Sequence, residues 1–233
     1  MQITERPSPN FDTRPAGIDM LILHYTGMRT AREALDRLCD PAAKVSAHYL
    51  VDEDGAVTRL VAEEKRAWHA GISSWRGRTD INSASIGIEL VNPGHEFGYR
   101  RFPDPQMAAL EALAKAILGR HPIPARHVIG HSDVAPLRKQ DPGELFDWQR
   151  LARAGIGFWP DFGGDTPSAV LDLRKSQAQL AHIGYSCPDS GAQDANTTAA
   201  ILAFQRHFRP ERCDGVLDTE TSRRIAFCAK GIS

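Results

Sequence analysis

The chain has 233 residues, 42% of them hydrophobic and 24% charged, with a formal net charge of −1. That composition supports a sizeable folded core and excludes an intrinsically disordered chain. The near-zero charge excludes binding to nucleic acid or an anionic membrane surface by charge alone, and no apolar run approaches the ~18 residues of a membrane span.

The first ten residues, Met1 to Asn10, contain no apolar segment of the kind a secretory signal needs. The expected location is therefore the cytoplasm, or the periplasm if a leader precedes this sequence. Ile18 to His24 is a strand pattern that ends in a histidine. Thr30 to Cys39 places Ala31, Ala34, Leu35 and Leu38 on one helical face. Ala47 to Val51 and Ala56 to Val61 are strands joined by the turn Asp52-Glu53-Asp54-Gly55. Ser85 to Val91 is another strand. Pro105 to Leu118 is an amphipathic helix whose core face is Met107, Leu110, Leu113, Ala114 and Ile117. Val128-Ile129-Gly130 is a short buried strand that runs into His131 and a Pro/Gly-rich loop. Helices alternating with strands predict an α/β domain on one central sheet, over residues 1–160.

The texture changes near Phe158. Two prolines and two glycines between Phe158 and Pro167 predict a linker, placed at 161–168. Beyond it, 169–183, 196–208 and 219–228 are helical patterns, which predicts a small C-terminal three-helix domain over 169–233, near the lower size limit for independent folding. Of the four cysteines, Cys187, Cys213 and Cys228 fall in this part. A Cys187 to Cys213 disulfide fits the segment, whereas a reducing compartment predicts separate thiols. No CxxC pair is present, so a cysteine-based zinc site is not expected.

Three candidate metal ligands stand out: His24, His131 and Asp141. Both histidines end apolar strands, so both can project from one edge of the same sheet. Asp141 follows His131 by ten residues, enough for a loop to turn back. Two imidazoles and a carboxylate are the donor set of a catalytic Zn²⁺ with one position left open. For any single histidine the ordinary reading is a core or surface residue, and nine histidines make spacing alone a weak signal. Glu89 interrupts a strand that is otherwise apolar. By alternation it shares a face with Gly87 and Val91, opposite Ile86, Ile88 and Leu90. A carboxylate inside a sheet is costly unless paired or functional; it is a general base if it faces the metal, and an exposed edge-strand residue otherwise. Lys139 could stabilise an oxyanion, although a solvated loop lysine is the simpler reading. Trp68-His69-Ala70-Gly71 and Ser74-Trp75-Arg76-Gly77-Arg78 offer sugar-stacking and carboxylate-holding groups, with core packing as the default for both tryptophans.

Five segments carry a resemblance: LILHYTG at 21–27, VSAHYLVDEDG at 45–55, RAWHAGISSWRG at 66–77, SIGIELVN at 85–92 and HSDVAPLRKQDPG at 131–143. In these and in their order the chain resembles N-acetylmuramoyl-L-alanine amidases of the AmpD/AmiD type, zinc amidases related to peptidoglycan recognition proteins. The resemblance implies a mixed central β-sheet flanked by helices. It implies Zn²⁺ on His24, His131 and Asp141, Glu89 as catalytic acid/base and Lys139 as transition-state stabiliser. The implied reaction is hydrolysis of the amide between N-acetylmuramic acid, or its 1,6-anhydro form, and L-alanine of the stem peptide. Muropeptides or peptidoglycan are the implied partners; Tyr25, Trp68 and Arg76 are expected to bind substrate, and His48 and His69 to lie in the substrate groove or just behind it. Some relatives carry an arginine shortly before the strand bearing the glutamate; the corresponding place here is Asp80. Leu180, Gly184-Tyr185, Ala203 to Phe208, Asp214-Gly215 and Thr219-Glu220-Thr221 resemble a three-helix peptidoglycan-binding domain. The alternative is a non-catalytic peptidoglycan sensor. Sensors of this fold typically lack a zinc ligand, and this chain keeps all three.

Overall fold

The computed structural model describes residues 2–163 and 171–231. The elements, in chain order, begin with β1 (Ile3–Glu5), β2 (Phe11–Thr13), β3 (Met20–Tyr25), α1 (Ala31–Cys39), β4 (Tyr49–Val51), β5 (Val57–Arg59) and β6 (Lys65–Ala67). They continue through α2 (Ile81–Ala84), β7 (Ser85–Leu90), α3 (Gly94–Phe97), α4 (Asp104–Arg120), β8 (Val128–Gly130), α5 (His131–Val134) and α6 (Trp148–Arg153). Helices α7 (Leu173–Ile183), α8 (Ala195–Phe208) and α9 (Thr219–Gly231) close the chain.

Six strands form one sheet in the order β1-β5-β4-β7-β3-β8, and β2 pairs with β6 in a separate ribbon. β7 lies between β3 and β4 and is parallel to both, β3 is parallel to β8, and the β4–β5 hairpin is antiparallel. The sheet is therefore mixed. Leu21 and Leu23 of β3 and Ile86, Ile88 and Leu90 of β7 point to one face, into a core shared with Met107, Leu110, Leu113, Ala114 and Ile117 of α4. Burying each such side chain contributes roughly 1.5–3 kcal/mol, and α4 supplies a full stripe of them. Gln106 fixes the start of α4 by donating from Nε2 to the carbonyls of Val51 and Val91 at 3.0 Å each. At α1, Thr30 caps the helix by accepting from the N–H of Glu33, and Ala34 and Leu38 pack with Leu50.

On the opposite face, Met20 and Ile22 join a core with Leu180, Ile183, Phe204, Phe208 and Ile225 of the C-terminal helices. The three expected helices are present, but they do not stand apart from the sheet. Gly184 lies so close to Trp75 that a Cβ there would sit 2.5 Å from the indole. The chain just ahead of the expected 161–168 linker, and Phe162 within it, also pack on the helices. Phe158 and Trp159 pack their rings near Phe208, and Phe162 packs near Phe227, because three large aromatics gain more from burial than from solvation. Residues 164–168 of that linker, and 169–170 of the first expected helix, lie outside the described residues. No disulfide joins Cys187 to Cys213. Both thiols are free, Cys213 facing the carbonyls of Arg209 and Pro210, and burial pushes them up to about 11 and about 12.

Candidate active site

Strand register assembles the site. His24 on β3 pairs directly with Glu89 on β7, so the two side chains share a face, and Leu23 pairs with Gly130, the residue before His131. Asp141 returns to this edge because the Ser132 N–H donates to the Asp141 carbonyl at 2.8 Å. His24 Nδ1 lies 3.0 Å from His131 Nδ1 and 3.0 Å from Asp141 Oδ2, and His131 Nδ1 lies 3.1 Å from the same oxygen. All three residues are buried.

The hydrogen-bond network fixes where the protons are. Ser85 Oγ donates to the Ile81 carbonyl at 2.7 Å and so must accept from His69 Nε2, 3.2 Å away. His69 Nδ1 is then bare and accepts from His24 Nε2 at 3.0 Å. That leaves His24 Nδ1 without a proton. His131 Nε2 donates to the Ala70 carbonyl at 3.0 Å, which leaves its Nδ1 bare as well. Two imidazole lone pairs and a carboxylate oxygen thus converge with no hydrogen among them. Burial, then the neighbouring His131, push His24 down to about 4, so it stays neutral. Burial alone would raise Asp141, but His131, then His24, beside it outweigh that and hold it well below the usual carboxylate range. Three mutually repelling donors this close are stabilised by a shared cation, and two neutral nitrogens with one carboxylate suit zinc. The fixed ring protons behind them are the outer hydrogen bonds that orient metal-binding histidines.

Glu89 lies beside this triad on a central strand, not an edge, and is 9% exposed. Its Oε2 has no hydrogen-bond partner. Burial, reinforced by the charge of Asp141, pushes its carboxyl well above the usual range, with Lys139 opposing. Triad, Glu89, Lys139, Tyr25 and His69 line one cavity of about 340 Å³, with Thr26, Met28, Arg37, Arg138 and Gln140 around its walls. Tyr25 holds its hydroxyl 3.0 Å from His95 Nδ1, and burial pushes it up to about 12.

Not every expected substrate residue reaches this cavity. His69 does line it, from behind His24, as that residue's hydrogen-bond partner. His48 is fully buried: its Nδ1 accepts from the Gly87 N–H, its Nε2 faces the Lys65 carbonyl, and burial with Arg14 nearby pushes it down to about 3. Trp68 donates from Nε1 to Asp12 at 2.7 Å and packs at the β2–β6 ribbon. Arg76 spends its guanidinium on the carbonyls of His182 and Ile183, joining the sheet domain to α7. Asp80, where some relatives carry arginine, is held by Arg66. It lines a second cleft of about 570 Å³ that shares Arg138 with the first. Sequence reasoning did not assign Gly87 or Ser85 to the site. A Cβ on Gly87 would sit 2.5 Å from the His69 ring, so the glycine admits that ring. A glycine inside an apolar strand was the available signal.

Fold and site together define a mixed α/β domain that sets a buried carboxylate beside a cluster of three metal-ready donors. Residues 12–144 match the N-acetylmuramoyl-L-alanine amidase family, and residues 171–225 match a peptidoglycan binding domain family. The chain is 39% identical to N-acetylmuramoyl-L-alanine amidase AmiD of Escherichia coli, over 94% of this chain and 87% of that protein. It is 37% identical to 1,6-anhydro-N-acetylmuramyl-L-alanine amidase AmpD of Citrobacter freundii, over 62% of this chain and 86% of that protein. The structure is similar to that of E. coli AmiD in complex with anhydro-N-acetylmuramic acid-L-Ala-D-γ-Glu-L-Lys, with a TM-score of 0.82 at 37% identity, covering 94% of this chain and 91% of that one. It is also similar to AmpDh3 of Pseudomonas aeruginosa, with a TM-score of 0.79 at 36% identity and 94% of both chains covered. The chain belongs to the N-acetylmuramoyl-L-alanine amidase family, a family of zinc enzymes in general, and is a hydrolase of that type. Among the described residues no helix is long and apolar enough to cross a membrane.

Proposed function

We propose that this chain hydrolyses the amide between the lactyl group of N-acetylmuramic acid, including its 1,6-anhydro form, and the L-alanine of the stem peptide, using zinc held by His24, His131 and Asp141. The observation that carries the reading is the set of three proton-free donors within 3.1 Å of one another, facing a cavity that also holds an unpaired carboxylate. Zinc at those donors supplies Lewis-acid polarisation and a water acidified toward neutrality. Glu89 accepts the proton that the attacking water releases, because Oε2 is free to take it. Its elevated affinity for protons lets it hold that proton and then deliver it to the leaving alanine nitrogen. Lys139 faces the same cavity and stabilises negative charge on the former carbonyl oxygen. His69 and the Ala70 carbonyl keep the two imidazoles in the tautomer that presents Nδ1. Tyr25 lines the wall next to His24 and contacts the substrate there.

In this reading residues 1–160 form the amidase unit, 161–168 join it to the rest, and 169–233 form a peptidoglycan-binding-like unit. The two family matches, at 12–144 and 171–225, support that division. The test is incubation of the purified protein with 1,6-anhydro-muropeptides and with whole sacculi, with and without a zinc chelator, and mass spectrometry of the products. Free stem peptide appears only without chelator. Its absence from both substrates contradicts the amidase reading, and chelator-resistant release contradicts the zinc assignment. Preference for the anhydro form points to recycling in the cytoplasm, and preference for sacculi points to the periplasm.

A further inference from the structure

The segment from His131 to Asp141 carries two of the three donors, and the C-terminal helices reach into it. Asp133 is 1% exposed and is held by three donors. The Gly130 N–H reaches Oδ2 at 2.7 Å and closes the turn that starts α5. Tyr185, just after α7, donates its hydroxyl to Oδ1 at 2.7 Å. His207, in α8, lies 2.8 Å from Oδ2 through Nδ1 and must donate, because the acceptor is a carboxylate. Both partners are 3% exposed. Trp148 fixes the His207 ring from one side, stacked at 3.8 Å and 14°. Trp75 and Phe204 flank Tyr185.

The surrounding contacts are apolar: Ile129, Val134, Phe204 and Phe208 bury against one another. Such an interface holds the helices on the sheet without a carboxylate at its centre. A buried polar cluster adds directional bonds that specify one arrangement, provided every member is satisfied. Here Asp133 is satisfied on both oxygens, and two of its three partners come from the C-terminal unit. From this geometry we infer that the C-terminal unit acts on the amidase centre itself. Tyr185 and His207 are positioning residues that clamp Asp133 and so hold His131 and Asp141 in their metal-binding arrangement.

The inference rests on the zinc reading of the triad. Its test uses the full chain loaded with zinc and the variants Y185F and H207F, which remove the donors and keep the rings. I225V serves as a control that trims the same helical core without removing a bond to Asp133. Three quantities are measured: the zinc dissociation constant by competition with a chromogenic chelator, kcat and KM on an anhydro-muropeptide, and Tm. Partners behind metal ligands affect metal affinity by 10–100-fold, and this clamp acts one residue further out, so Y185F and H207F are expected to weaken zinc binding about tenfold. kcat falls with KM unchanged, whereas I225V lowers Tm and leaves zinc affinity at the wild-type value. Should H207F fail to fold, Y185F, which removes one oxygen, carries the test. Zinc affinity unchanged in Y185F, or reduced equally in I225V, overturns the clamp. A wild-type chain that binds no zinc overturns the site reading beneath it, which separates the two failures.

Discussion

On the α4 side of the central sheet, Leu21, Leu23, Ile86, Ile88 and Leu90 are sealed in a continuous apolar core. On the other side the same two strands present His24, Gly87 and Glu89, alternating one residue at a time with the first set. The first face gains stability from every side chain it buries. The second buries a carboxylate oxygen with no partner, which costs about 1–3 kcal/mol or more for a charged group. The comparison teaches that the sheet tolerates its reactive face because the opposite face is packed so completely. At the end of β3 and β7 that carries the site, packing against α4 and chemistry fall on alternate residues, while Met20 and Ile22 pack the far end of the reactive face.

The sharpest way to break that division is Glu89→Gln. Loss of a general acid/base lowers kcat by roughly 10³-fold, with general acid/base contributions running 10²–10⁴. Zinc content and Tm should stay near wild-type values, because Gln keeps the shape of the side chain and Glu89 lies outside the donor set. A steady-state assay paired with a thermal melt decides it; retained turnover removes Glu89 from the mechanism. The reciprocal substitution, Leu110→Ala on the α4 side, should cost about 2–5 kcal/mol in chemical denaturation and leave zinc affinity unchanged. If zinc affinity falls with it, the two faces are not separable.

Gly87→Ala lies between these extremes, because its methyl would meet the His69 ring. We expect zinc affinity to drop at least tenfold, through loss of the His69 to His24 bond, with a stability loss of about 1–3 kcal/mol from overpacking. Normal zinc affinity in this variant would show that His24 needs no support from behind. The smallest effect is at Glu63, far from the site. Burial opposes its ionisation, but bonds from Arg120, His121 and Tyr49 outweigh that and hold it down to about 2. Its stabilisation is therefore present above about pH 4.5 and lost as the pH falls toward 2. Glu63→Gln should cost about 1 kcal/mol at pH 7, allowing for the exposure of Arg120, and nothing near pH 2, with activity unchanged. A difference that persists at pH 2 contradicts this account of the ion pair.

Alternation in 85–91 and the helical stripe in 105–118 placed both faces correctly, since each is a local pattern with a fixed period. The motif residues His24, Glu89, His131, Lys139 and Asp141 could be named from the chain and do gather at one cavity. What escaped depended on contacts distant in sequence. β1, β2 and β6 are three residues each and, unlike the equally short β8, carry no apolar run. Arg14, in a proline-flanked stretch, bonds carbonyls of Glu63, Lys65, Asn82, Ser83 and Ser85, which no local signal announces. The helical patterns at 169–183 and 196–208 were legible, but not that these helices dock on Met20 and Ile22. Arg76 and Trp68 were assigned by residue type, and tertiary partners took both away from the cavity.

The central claim is that the reactive face is a zinc site built from two bare Nδ1 atoms and one carboxylate, with Glu89 outside the donor set. Zinc titration of the metal-free wild type, His24→Ala and Glu89→Gln, read by calorimetry, tests it most directly. The account predicts one zinc per wild-type chain, tight binding retained in Glu89→Gln, and binding lost in His24→Ala. Equal binding by wild type and His24→Ala, or loss of zinc from Glu89→Gln, would contradict it.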